Sequence, residues 1–214
     1  HRGVSHFLDI ALFQAAITRK TLDAMFEALF ANLEVPRRIL RFKANLMGRQ
    51  WLAWYDLGAP LNLSQESPRS WDEAVAMVSA AFTRAYPALS RFFQQELIGK
   101  NWIDWEPRDG KRPGGFCSSS MLSKESRIFM TYSQALGDVL TLAHESGHAY
   151  HGFLMRETRP FARGYPMTLA ETASTFAEQI LINGSLDRPG VGDGFKALML
   201  DIELGHGAIY LLDI

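Results

Sequence analysis

The sequence predicts a mainly α protein with one small sheet of two or three strands beside its central helix. Two observations carry that expectation. Apolar residues recur three and four positions apart through most of the chain, with cap signals between the stretches. Between Asn101 and Tyr132 the pattern changes to short runs rich in aromatic and β-branched residues, separated by Gly, Pro, Asp and Ser.

The elements follow in order. TLDAMFEALFANL, from Thr21 to Leu33, is an amphipathic helix with Thr21 as its expected N-cap. Pro36 suits the first turn of the next helix, and Gly48 its C-terminal stop. Ser70 with Glu73 three residues on is a capping-box pattern. Pro87 breaks that helix and opens another, which ends near Gly99. NWIDW, GGFCSSS and SRIFMTY are the expected strands. Helical periodicity resumes at Leu136 and runs to about Met155. RETRPFARGYP reads as a loop, and TLAETASTFAEQILING as a helix stopped by Gly184. After the turn DRPGVGDG a last helix starts near Phe195. The chain thus divides into a helical part (1–100), a small sheet (101–132) and a helical part carrying the chemistry (133–214).

Composition excludes several classes. The formal net charge is -1, so neither nucleic acid nor an anionic membrane surface is an expected partner. The most basic stretch, RRILRFK, interleaves its charges with apolar residues and reads as a solvated helix face. No apolar run approaches the ~20 residues of a membrane span. A single cysteine, Cys117, suits a reducing, cytoplasmic setting. The chain opens on His1 and stops inside the apolar pattern AIYLLDI, as a piece of a larger protein would.

The chemistry concentrates in TLAHESGHAYHGF, Thr141 to Phe153. His144 and His148 are four residues apart, about 40° apart around a helix and ~6 Å along it. Two imidazoles at that spacing converge on one metal ion. Glu145 points about 100° away and is free to act on water. This is the H-E-x-x-H arrangement of zinc-assisted hydrolysis. His151 shares the face of His144 but lies ~10.5 Å further along, out of reach of the same ion. A third ligand must come from another element, and LAETASTFAE offers two carboxylates, Glu171 and Glu178. Ala170, Thr172, Ala173 and Ser174 let the helix around Glu171 approach closely, which favours Glu171 as the ligand. Glu178, among bulkier neighbours, is the runner-up and reads more readily as a solvated helix glutamate. Ser174 and Thr175, one turn past Glu171, are the expected hydrogen-bond partners that orient the ligating histidines.

TLAHESGHAYH followed by LAETASTFAE resembles the thimet oligopeptidase superfamily of zinc peptidases, specifically its oligoendopeptidase F branch. RFKANLMGRQWLAWYDLGAP, NWIDWEPRDGKRPGGFCSSS and IFMTYSQALGDVLTLAHE look like that branch's catalytic region in the same order. The resemblance implies a zincin-like helical catalytic domain, part of a larger peptidase. It implies one zinc ion per chain on His144, His148 and Glu171, with Glu145 as general base, and oligopeptide substrates. It further implies an edge strand that grips the substrate backbone, placed at Phe129, Met130, Thr131 and Tyr132; His151, from its position on the helix, is read as supporting the ligands, facing substrate or lining the core. Two other readings fit the same residues: a zinc carboxypeptidase of related fold, and a metal-stabilised helical module that binds peptide without cutting it.

Overall fold

The computed structural model describes residues 3–57, 59, 61 and 67–212, with side chains as far as residue 207. The chain forms two compact units, His1–Gln65 with Gly190–Ile214, and Glu66–Pro189.

The first unit is helical, with α1 (Asp9–Ala15), α2 (Arg19–Ala31) and α3 (Glu34–Leu46) in succession. The N-cap of α2 is Thr18 rather than Thr21, because the Thr18 hydroxyl accepts the Thr21 amide at 3.1 Å. Arg37 and Arg41 both reach Glu34 across exposed turns, which confirms a solvated face for the basic stretch. Lys43 turns the other way and donates to the Leu57 carbonyl at 2.9 Å. The C-terminal helix, Asp193–Leu212, packs against α3.

The second unit starts with α4 (Trp71–Ala85). Its capping box is formed as read: the Ser70 hydroxyl accepts the Glu73 amide and Glu73 accepts the Ser70 amide. Such a cap contributes about 1 kcal/mol. Pro87 then opens α5 (Pro87–Phe92), which continues as a π-helical turn, Phe93–Ile98. Three strands follow: β1 (Ile103–Asp104), β2 (Gly115–Ser120) and β3 (Glu125–Met130). Their spatial order is β1-β3-β2. β3 runs parallel to β1 and antiparallel to β2, with Gly115 opposite Met130 and Ser120 opposite Glu125. Along β3, Ser126, Ile128 and Met130 are buried, the period-two pattern of a strand with one face on a core.

That core is supplied by α6 (Leu136–Met155), which packs against both β2 and β3. α7 (Met167–Ala170) and α8 (Thr172–Leu186) return along its other face. Val78, Phe82, Phe93, Leu97, Met130, Leu142 and Leu181 are completely buried in this unit. The single helix expected from Thr168 onward is broken at Glu171, whose φ of -88° and ψ of 0° leave helical geometry. Gly184 does not stop α8. A Cβ there would lie 2.8 Å from the Ala81 Cβ, so this glycine serves close packing of α8 on α4. No helix among the described residues is long and apolar enough to cross a membrane.

Candidate metal centre

One turn of α6 brings His144 and His148 to the same side, and their Nε2 atoms lie 3.2 Å apart. Glu171, at the break between α7 and α8, faces both. Its Oε2 is 3.2 Å from His144 Nε2 and 3.1 Å from His148 Nε2. Among the described residues this is the one group of three such side chains that could hold a metal ion. The near-equilateral triangle suits a single ion: tetrahedral ligands at ~2.0–2.1 Å stand ~3.3–3.4 Å from one another. Two imidazoles and one carboxylate are also the donor chemistry of a catalytic zinc site. The residues therefore fit zinc.

The break at Glu171 matters to this geometry. Its backbone sits in the sparsely populated bridge region, where many active-site residues are found. The Ser174 hydroxyl donates to Glu171 Oε2 at 2.8 Å, and Thr175 donates to the Glu171 carbonyl at 2.6 Å. Ser174 and Thr175 thus hold Glu171, and not the ligating histidines that the sequence reading assigned to them.

Glu178 corrects the expectation of a solvated glutamate. Its side chain is only 15% exposed, and its Oε1 accepts a hydrogen bond from His144 Nδ1. An ionised carboxylate can only accept, so Nδ1 carries the proton and Nε2 presents its lone pair to the triangle. Burial lowers the His144 pKa, but the hydrogen bond to Glu178 and the charges of Glu178, Glu145 and Glu171 outweigh it and raise the value overall. His148 goes the other way, because burial holds it below the ordinary histidine value.

Glu145 is 5% exposed, and its Oε2 is buried without a hydrogen-bond partner. Burial raises its pKa, and the charges of Glu171 and Glu178 reinforce this against the pull of His144. β2 covers it: a Cβ at Gly115 would come within 2.9 Å of the Thr141 side chain and 3.3 Å of the Glu145 side chain. A glycine is needed for the strand to run this close. On the other side of α6, a Cβ at Gly147 would lie 2.4 Å from the Ala173 carbonyl oxygen. Gly147 therefore lets α8 bring Glu171 into range.

A cavity of about 570 Å³ joins these groups, lined by His144, Glu145, His148 and Glu171 and by Gly115, Phe116, Cys117, Ser119 and Ser120 of β2. The placement of substrate contacts on the following strand is therefore corrected. β3 is central and has a hydrogen-bonded neighbour on each side. Met130 is fully buried and Tyr132 is 2% exposed, with its hydroxyl donated to the Arg69 carbonyl. Thr131 donates to the Arg112 carbonyl, and Phe129 stacks on Phe116. None of Phe129, Met130, Thr131 and Tyr132 lines the cavity. The outer edge of β2 does, and among the described residues it pairs with no strand. His151 also stands apart from the metal triangle. It packs on Tyr165 at 4.7 Å and borders a neighbouring apolar pocket with Met155, Leu169 and Phe176. Tyr150 is 9% exposed and bonded to Tyr86. Cys117 is half-buried beside Glu145, and its loss of solvent together with that charge pushes its thiol up to about 12.

A buried carboxyl beside a His-His-Glu triangle, under the open edge of a small sheet, is an arrangement suited to metal-assisted hydrolysis. Comparison with known proteins agrees: residues 65–188 match the model of Peptidase family M3, and the chain belongs to that family. An oligoendopeptidase F homolog of Lactococcus lactis subsp. lactis is 31% identical over 80% of this chain and 28% of its own length. An oligoendopeptidase F homolog of Borreliella burgdorferi is 26% identical over 84% of this chain and 31% of its own length. The chain thus spans less than a third of the length of these relatives. A crystal structure from Chlamydophila abortus superposes with a TM-score of 0.79 at 26% identity, over 94% of this chain and 33% of that one. The mainly α fold with its small sheet is shared with that structure.

Proposed function

We propose that this chain is part of the catalytic domain of a cytoplasmic, zinc-dependent endopeptidase acting on oligopeptides. His144, His148 and Glu171 are its metal ligands and Glu145 is its general base. The observation that carries this reading is the triangle of three donor atoms with an unpartnered, buried Glu145 carboxylate next to it. Zinc, when bound, supplies Lewis-acid activation of a water molecule and of the scissile carbonyl. Glu145 takes the proton of the attacking water and returns it to the departing amine. A carboxyl whose pKa is raised by burial suits both halves of that task. Glu178 keeps the His144 ring in one orientation and one tautomer. The open edge of β2 aligns the peptide through main-chain hydrogen bonds, which accept many sequences.

The test is metal content followed by turnover. Elemental analysis should find one zinc per chain, lost to a chelator. Glu145→Gln should keep the zinc and cut hydrolysis of an acetylated, amidated peptide by roughly 10²–10⁴-fold. A variant that still cleaves would remove Glu145 from its role. Failure to cleave any blocked peptide while trimming free C-termini would favour a carboxypeptidase.

A further inference from the structure

The cavity has a second pole. Lys124, Arg156 and Arg163 line it together with the metal-site residues. Arg156 follows His148 by eight residues along the line of α6, ~12 Å away.

Cations at the end of α6 have an ordinary use, the compensation of the helix dipole. Arg163 serves it: its Nε and Nη2 donate to the carbonyls of Thr158 and Arg156 at 2.7 and 2.6 Å. This fixes the guanidinium at the cavity wall. Lys124 and Arg156 have no such bond to a carbonyl. Lys124 Nζ meets Glu157 at 3.0 Å, and Arg156 lies over the Phe153 ring at 3.8 Å, with its Nε 3.7 Å from the same Glu157. The other nearby carboxylate, Glu125, is held by Arg127 at 2.8 Å. Three cations therefore face one carboxylate. The positive surplus shows on Glu157 itself, whose carboxyl is held below the ordinary range by the hydrogen bond from Lys124 and by the charges of Lys124, Arg156 and Arg163.

We infer that this end of the cavity is a carboxylate subsite, in which Lys124, Arg156 and Arg163 receive a peptide carboxylate a few residues from the bond that is cut. The carboxylate is a C-terminus or an Asp or Glu side chain. The inference rests on the peptidase reading above. It adds a charge preference to a strand edge that by itself reads no side chains.

The experiment uses the zinc-loaded protein and three sets of quenched fluorescent peptides. One has a free C-terminus, one is amidated and uncharged, and one is amidated with a single Glu or Lys walked through the sequence. At low salt a carboxylate-bearing peptide should exceed its neutral counterpart in kcat/KM by ~5–10-fold, through KM, and the margin should shrink in 0.5 M NaCl. Lys124→Glu with Arg156→Glu should invert the order, so that the Lys peptide exceeds the Glu peptide. Loss of the preference on amidation alone assigns the C-terminus, and loss on Glu→Gln alone assigns a side chain. The same peptides are also titrated by fluorescence anisotropy into the zinc-loaded Glu145→Gln protein. If nothing is cleaved, the peptidase reading fails and this binding order alone decides the subsite. Equal affinity for Glu and Lys peptides, or an order unchanged by the charge reversal, would overturn it.

Discussion

Between α6 and α8 a single Cβ at Gly147 would sit 2.4 Å from a backbone oxygen, whereas the outer edge of β2 meets no strand among the described residues. These are the two walls of one cavity. The helical wall holds the metal donors, and its backbones are fixed by contact. The strand wall is covered on one side only. Ligands that must hold a triangle of 3.1–3.2 Å edges need a support that cannot shift. A surface that accepts varied peptides needs an unfilled edge instead. The first wall is precise because it is filled, and the second is receptive because it is not.

The hardest way to break this contrast is to thicken the helical wall. Gly147→Ala should drive α8 from α6, cost about 3 kcal/mol of stability and abolish zinc binding. Gly137→Ala on the same helix, where a Cβ meets nothing within 4 Å, should instead stabilise by about 0.5–1 kcal/mol. Urea melts with zinc titration of both variants check the pair. On the strand wall, a Cys117 thiol pushed up to about 12 is almost wholly protonated near neutrality. Its alkylation by iodoacetamide at pH 8 should be ~10³-fold slower than that of a free cysteine. Ready labelling would mean that β2 does not cover Glu145 as described.

Glu178→Gln keeps the shape of the helical wall but weakens its grip on His144. Zinc affinity should fall by ~10–100-fold, measured by competition with a chelator, while the melt changes little. The smallest effect belongs to the brace of the loop that leads into β2. There Asp104 binds Arg108 at 2.6 and 2.7 Å and Lys111 at 2.9 Å. The hydrogen bonds from Arg108 and Lys111 hold the Asp104 carboxyl well below the usual carboxylate range. Its folded pKa is depressed, so its stabilisation is complete above the unfolded value of ~3.9 and fades as pH falls below it. The carboxylate is 43% exposed, and solvent screening limits the effect. Asp104→Asn should cost about 0.5 kcal/mol at pH 7 and progressively less as pH falls below ~3.9, in melts across that range.

Local signals carried much of the fold. The Ser70–Glu73 box, the break at Pro87 and the span of α6 depend on neighbours within one turn, and they formed as read. The convergence of His144 and His148 belongs to the same class, because helical spacing alone brings them together. The pairing of β3 on both sides could not be read from RIFMTY, since strand order depends on which chains meet in space. Glu178 was misjudged for a like reason: its bulky neighbours describe α8, but the His144 ring it faces belongs to α6. Its position two turns past Glu171, on the same face, was the available signal.

By itself, then, the sequence determined most of the helices, the Ser70 capping box and the kind of chemistry, because propensity, periodicity and spacing act over a few residues. Only the tertiary structure decided which carboxylate completes the triangle, which one steadies His144, and which strand edge stays open. Each of those depends on how closely two separate backbones approach. That distance is set at Gly147, Gly115 and Gly184 by the absence of a side chain, and its meaning is visible only once the opposing surface is in place.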